Sequence, residues 1–256
     1  LGDVYKRQIL LGQMNRNANA WINVPLQPGY GVKFDNSELR LLIKRKLGRE
    51  LIITNEKCTE CVKNVDIYGD HGVVCKHGTG IIHRHDLLVS GISELLTQAN
   101  VQHSVEYRHL FSNNNMKPAD IYIPNWSHDG KNAALDIGIT SVANNSIISQ
   151  SQSKLLTAAA SFYNHKNNKY NKYINDNNIN INNIDYIPII IEDYGGFHKE
   201  TVNHIKKIAI LRAANMNIDK SQSINYCFTK ISALLQKANA ISLLNHYSIY
   251  NGFKYK

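Results

Sequence analysis

No apolar run in this chain approaches the roughly 18 residues that would cross a bilayer, and no secretory signal stands at its start. The sequence is therefore read without a membrane partner, and a nuclear or intracellular location is expected. Cysteine is scarce: Cys58, Cys61 and Cys75 fall within 18 residues of one another, and Cys227 stands alone. So few thiols, so closely grouped, argue against a disulfide framework and for a metal site in a reducing compartment. Acidic residues are in short supply, 20 against 29 lysines and arginines, which leaves a net charge of +9. That balance favours a polyanionic partner, most simply nucleic acid, although an ordinary basic protein has the same charge. An initiating methionine is also missing, so a fragment is expected. Leu1 to Gln8 resembles translated sequencing-adaptor read-through, and residues 1–12 are set aside as an artefact or disordered tail.

What remains is enough for one large domain or two small ones, with 43% hydrophobic residues to form a core. Residues 13–55 are expected to be an N-terminal basic helical segment. Asp35-Asn36-Ser37 with Glu38 in the first turn reads as a helix start. Leu39, Leu41, Leu42 and Leu47 then alternate with Arg40, Lys44, Arg45 and Lys46 as far as Gly48. The charged face suits either solvent or a DNA backbone. Residues 56–82 are expected to bind zinc. Cys58-Thr59-Glu60-Cys61, followed at short spacing by His71 and Cys75, matches a tetrahedral Cys₃His site. His77 is an alternative fourth ligand, and a reduced thiol cluster is the plain alternative to metal. Thiolates select soft or borderline ions such as Zn²⁺.

Residues 83–99 read as a helix whose apolar face holds His85, Leu88, Ile92, Leu95 and Ala99, with Glu94 pointing away. On that face His85 is read as a core histidine rather than a ligand. Val101 to Leu110 reads as a strand centred on Glu106, which either joins a metal site or pairs with a cation such as Arg108. The chain then reaches its most informative stretch, Lys117 to Thr140. Both flanks alternate apolar and polar residues, and Asp129-Gly130 between them signals a turn. An antiparallel hairpin turning near position 128 sets Asp120 opposite Asp136, with Cβ atoms roughly 4.5–5.5 Å apart. Facing carboxylates repel, and a hard divalent cation such as Mg²⁺ removes that repulsion. Two surface aspartates at strand ends are the plain alternative.

Ser149 to Tyr173 has the spacing of a long helix in which Leu155, Ala158, Phe162, Lys166, Lys169 and Tyr173 share a stripe. Lysines on an apolar stripe either snorkel to water or reach inward to the two aspartates. Asn164 to Asp185 contains ten asparagines and reads as a low-complexity loop beyond that helix. Tyr186 to Glu192 is a buried strand, and Pro188 denies it full pairing on both sides at its start. Helices over about 198–214 and 223–248 close the chain, with Cys227 in the core.

The order helix, strand, hairpin, helix, strand resembles the restriction-endonuclease-like core. With the cysteine cluster added, the chain is similar to the C-terminal region of eukaryotic reverse-transcriptase-related proteins. More narrowly, it resembles the restriction-like PD-(D/E)XK endonuclease of non-LTR retrotransposons, which has a CCHC zinc motif. The pieces that match are Ala20-Trp21, Leu39 to Gly48, Cys58-x-x-Cys61, Tyr68-Gly69-Asp70-His71, Cys75 and Arg84-His85-Asp86. Further on they are Lys117-Pro118-Ala119-Asp120, Ala134-Leu135-Asp136, Lys166-x-x-Lys169-Tyr170 and Tyr194-Gly195-Gly196.

The resemblance implies an α/β fold, a mixed sheet flanked by helices, with an N-terminal zinc segment and C-terminal helices. The nuclease core would occupy 83–215, with an Asn-rich insertion near 174–185, and 216–256 would be a C-terminal helix. It implies a Mg²⁺-dependent DNA endonuclease in which Asp120 and Asp136 hold Mg²⁺ and Glu106 is a third candidate. Position 138, where the pattern has lysine, is Gly138. The lysine is implied to come from the following helix, as Lys169 or else Lys166, and the register Lys169-x-x-Lys172-Tyr173 leaves the assignment open. Pro-Ala-Asp in place of Pro-Asp leaves room for a decayed copy. The implied partners are DNA, and RNA through a fused reverse transcriptase, with no small-molecule cofactor. A non-catalytic zinc-containing nucleic-acid-binding module and a cellular junction-resolving nuclease are the alternatives.

Overall fold

The computed structural model describes residues 7, 10–26, 29–51, 57–77, 80–106, 119–127, 129–142, 154–176 and 183–246. It shows a mixed α/β architecture in which four strands lie in the order β1-β2-β3-β4 between helical layers. β1 (Ser104–Val105) and β2 (Ile121–Ile123) are antiparallel, as are β2 and β3 (Asn132–Thr140). β4 (Ile184–Glu192) runs parallel to β3 along its whole length. Pro188 pairs with Asp136, and among the described residues β4 is an edge strand, as a proline without a peptide N–H allows.

Helix α1 (Asn36–Lys46) starts as its sequence dictates. Asp35 accepts the Glu38 N–H at 2.8 Å, and the Glu38 carboxylate accepts the Asp35 N–H at 2.8 Å, a reciprocal cap. Its charged face does not all meet solvent. Arg45 is buried, 2.9 Å from Asp193 and 3.2 Å from Asp70, with its guanidinium 3.9 Å above the Tyr194 ring. Arg45 therefore ties the helix to the end of β4, while Arg40 and Lys44 are exposed and Lys46 is half-buried.

A short helix, α2 (Asp70–Val74), leads into α3 (Gly80–Gln98). Leu88, Ile92 and Leu95 of α3 pack on Ile121, Ile123, Leu135, Ile137 and Ile189 of the sheet. Ile205 and Ile208 of α5 (Lys199–Met216) join this layer, as do Cys227, Phe228 and Ile231 of α6 (Lys220–His246). α4 (Thr157–Asp176) covers the opposite face of the sheet, bringing Phe162 and Lys166 over Gly138. No helix among the described residues is long and apolar enough to cross a membrane.

The structure corrects two expectations about these elements. The strand at 101–110 is only Ser104–Val105 among the described residues. Glu106 closes it with a left-handed φ of 53°, and 107–110 lie outside the described residues. The Asn-rich run is helical as far as Asp176, because Tyr170 and Ile174 are buried and anchor it while the exposed Asn164, Asn168, Asn171 and Asn175 face solvent. Residues 177–182, like Ser149 to Ser153, lie outside the described residues.

Candidate functional site

The hairpin register is the one its turn imposes. Ile121 pairs with Leu135, Tyr122 with Ala134 and Ile123 with Ala133, which brings Asp120 across from Asp136. Asp120 continues the ladder, its N–H donating to the Leu135 carbonyl at 2.8 Å. Its carboxylate then reaches over the strand pair and accepts the Ile137 N–H at 2.7 Å. Lys117, Pro118 and His128 lie outside the described residues.

The lysine at the acid pair is Lys166. Its Nζ lies 2.5 Å from Asp136 Oδ1 and 3.3 Å from the Ile137 carbonyl. Lys169 is exposed, as is Lys172, which corrects the expectation that Lys169 points inward. The cause lies across the sheet at Gly138. A Cβ there would sit 2.7 Å from Phe162 Cε1, 2.8 Å from Ile190 Cδ1 and 3.0 Å from Lys166 Cε. The absent side chain at 138 is the space through which Lys166 reaches Asp136.

Asp120 has a histidine partner of its own. His85 Nε2 lies 3.0 Å from Asp120 Oδ2, and its Nδ1 lies 3.2 Å from Asp86. The hydrogen bond to Asp120 holds the imidazole above its ordinary pKa, against the opposing effect of burial. The expectation of a core histidine is corrected: Arg84, one residue earlier, faces the core at 5% exposure and donates to Asn239 at 3.1 Å. Tyr186 completes the surroundings by donating its hydroxyl to Asp136 Oδ2. Burial first, and then the charges of Asp136 and Asp120, push the Tyr186 phenol up, so it stays a donor.

Glu106 sits beside this group, its N–H donating to the Asp120 carbonyl at 2.8 Å, but the residue is exposed. Among the described residues, one set of three or more cysteine, histidine or carboxylate ligands has all its ligand atoms within 4.8 Å of each other, and it contains none of Glu106, Asp120 and Asp136. A closed three-carboxylate cage is therefore not what the fold builds here. The two carboxylates face donors instead: Lys166 and the Tyr186 hydroxyl at Asp136, the Ile137 N–H and His85 at Asp120.

The set that does close is Cys58, Cys61, His71 and Cys75. Cys58 and Cys75 sulfurs lie 4.0 Å apart, and Cys61 Sγ lies 3.3 Å from His71 Nε2. Ligand atoms around tetrahedral zinc stand roughly 3.5–3.8 Å apart, given bonds of about 2.0–2.3 Å. This cluster could bind a metal such as zinc. Local hydrogen bonds explain its shape. Cys58 N–H donates to Lys63 O at 2.9 Å, and Val62 takes a left-handed φ of 61° to close the knuckle. Asp66 accepts the N–H groups of Tyr68, Asp70 and His71 at 2.9, 3.0 and 2.6 Å, which aims His71 at the sulfurs. Burial lowers the His71 pKa and favours the neutral ring that a metal needs. His77 is not among the four residues whose ligand atoms converge; its carbonyl lies 3.2 Å from His246 Nε2.

No model of a known protein family matches the chain, and no curated protein sequence matches it either. His85 and Tyr186 escaped the sequence reading. The one available signal was the run Arg84-His85-Asp86, in which buried Arg84 precedes partly exposed His85.

Proposed function

We propose that this protein is a metal-dependent DNA endonuclease of the PD-(D/E)XK type, derived from a retrotransposon, with a structural zinc in its N-terminal half. The observation that carries the reading is the convergence of Asp120 and Asp136 on adjacent strands with Lys166 at 2.5 Å from the second. Asp120 and Asp136 would hold Mg²⁺. When bound, that ion supplies charge to a phosphoryl oxygen and lowers the pKa of an attacking water.

The chain's own residues do the rest. Lys166 orients the attacking water or meets charge that develops on the phosphoryl group. Tyr186 and the Ile137 N–H fix the two carboxylates, so little reorganisation accompanies the reaction. His85 Nε2 meets the same Oδ2 of Asp120 that accepts the Ile137 N–H, and so helps to fix that carboxylate. Zinc on Cys58, Cys61, His71 and Cys75 would hold the N-terminal segment against the end of α6, where Thr59 Oγ1 donates to the Asn245 carbonyl at 2.7 Å. The net charge of +9 suits a phosphate backbone.

Supercoiled plasmid incubated with Mg²⁺ tests the reading. The natural protein should nick it, and Asp120→Ala and Asp136→Ala should not. Equal nicking by both variants overturns the assignment. Salt-sensitive DNA binding without nicking by any form selects the non-catalytic binding module instead. Preference for four-way junctions over linear duplex selects a junction-resolving role.

A further inference from the structure

A cavity of about 540 Å³ opens at the outer edge of β4, between α4 and α5. Its volume lies in the range of sites that enclose small ligands. Tyr163 and Asn171 of α4 form one wall, Trp126 from the hairpin turn with His204 and Lys207 of α5 the other, and Tyr186 the floor. The aromatic rings are held rigid. Tyr186 stacks on Tyr170 with centroids 4.0 Å apart and planes 4° from parallel, and Tyr163 stacks on His198 at 4.1 Å. The Lys207 ammonium sits 4.0 Å over the Trp126 ring.

The floor also offers backbone groups. Ile190 turns its N–H to Thr201 Oγ1 and its carbonyl to the His198 N–H, both away from β3. Strand alternation then turns the peptide groups of Tyr186 outward into the cavity. Among the described residues nothing takes them. An incoming peptide strand would find almost no run of such groups, because Pro188 lacks an N–H and the groups of Ile190 and Glu192 are already bonded. A flat ring with hydrogen-bonding edges fits better. The same Tyr186 that floors the cavity donates to Asp136, so the cavity adjoins the carboxylate pair.

We propose that this groove receives one unpaired nucleobase of the DNA, next to the phosphate that is cut. The position of the cut rests on the endonuclease reading above; the binding of the base does not. Tyr163 and Tyr186 supply stacking faces, which tolerate any base. Asn171 and the Tyr186 peptide meet the base edge, and Lys207 supplies positive charge. The enzyme would therefore favour duplexes with a bulged or frayed nucleotide over continuous ones.

Fluorescence anisotropy with a labelled hairpin duplex tests this, using zinc-loaded protein with no Mg²⁺ added and at fixed salt. One probe has a single unpaired adenosine, and the other is fully paired. The natural protein should bind the bulged probe about tenfold more tightly, as expected for one stacked base. Asn171→Trp fills the groove from its exposed rim and should abolish the preference, as should Tyr163→Ala. Asp120→Ala should keep it. Equal affinity for the two probes, or a preference that survives Asn171→Trp, overturns the proposal. So does binding of a Val-Thr alternating hexapeptide in the groove when the bulge confers no advantage. A bulge preference in a protein whose Asp120→Ala and Asp136→Ala variants nick normally would leave the base site standing and remove the hydrolase reading.

Discussion

Lys166 and Asp136 meet at 2.5 Å from opposite sides of a gap that Gly138 leaves in β3. In an endonuclease of this design the amine belongs to the chemistry. Lys166→Ala should slow Mg²⁺-dependent plasmid nicking on the order of 10²-fold. Lys169→Ala, an exposed position on the same helix, should leave the rate unchanged. Rates measured side by side under single-turnover conditions decide between the two lysines.

The gap itself has a cost if filled. Gly138→Ala places a methyl group 2.7 Å from Phe162 and 2.8 Å from Ile190, with both side chains packed in place. Overpacking of this kind destabilises by about 1–3 kcal/mol. A lower midpoint in urea should therefore accompany slower nicking, as the Lys166 stem is displaced. Full activity with an unchanged midpoint would contradict the packing at this position.

Metal on the cysteine cluster should hold a whole segment, not a single loop. Leu41, Leu51 and Val73 pack with Leu243 and Leu244 in a small cluster of their own, and a Cβ at Gly69 would strike Leu51 at 2.6 Å and Leu243 at 2.8 Å. So small a core would lean on a metal bound there. Elemental analysis should find one zinc per chain in the natural protein and less in Cys58→Ser. Chelation should raise hydrogen exchange across 57–77 while the β3–β4 pair stays protected.

Glu192 gives the fold a pH dependence. It is 1% exposed, accepts the Ala159 N–H at 3.0 Å, and its other oxygen takes no hydrogen bond among the described residues. Burial pushes its carboxyl up to about 7 from an ordinary value of 4.5, with the Asp193 charge adding to the rise. The folded state therefore binds this proton more tightly than the unfolded chain does, and stability falls as pH rises from 4.5 to about 7. Glu192→Gln should flatten that slope and stabilise the protein at pH 8 by roughly 3 kcal/mol. Urea titrations at several pH values check both signs.

The parts legible in the sequence were those set by short-range rules. Asp129-Gly130 and the alternation around it fix the register that brings Asp120 across from Asp136. Cys58, Cys61, His71 and Cys75 announce themselves by spacing. Asp35 and Glu38 mark a helix start by reciprocal capping. The choice between Lys166 and Lys169 was not legible from periodicity, since both lie near the angle of Phe162. It depends on the contact between α4 and Gly138, across the sheet. His85 was misread for a similar reason. The buried place on α3 belongs to Arg84, whose partner Asn239 lies 155 residues away. The long helix was expected to end near Tyr173 with an Asn-rich loop beyond it, while burial of Tyr170 and Ile174 accompanies a helix that runs on to Asp176.

A hydrolase built on this hairpin requires Asp120 and Asp136 to share one divalent cation. Manganese suits the same carboxylate oxygens as Mg²⁺, and its electron paramagnetic resonance signal counts free ions. Titration of Mn²⁺ into zinc-loaded protein should show one ion taken up per chain by the natural sequence, displaced by excess Mg²⁺. The double variant Asp120→Ala, Asp136→Ala should take up none. Equal uptake by the two proteins, or no uptake by either, would contradict a shared cation at this pair.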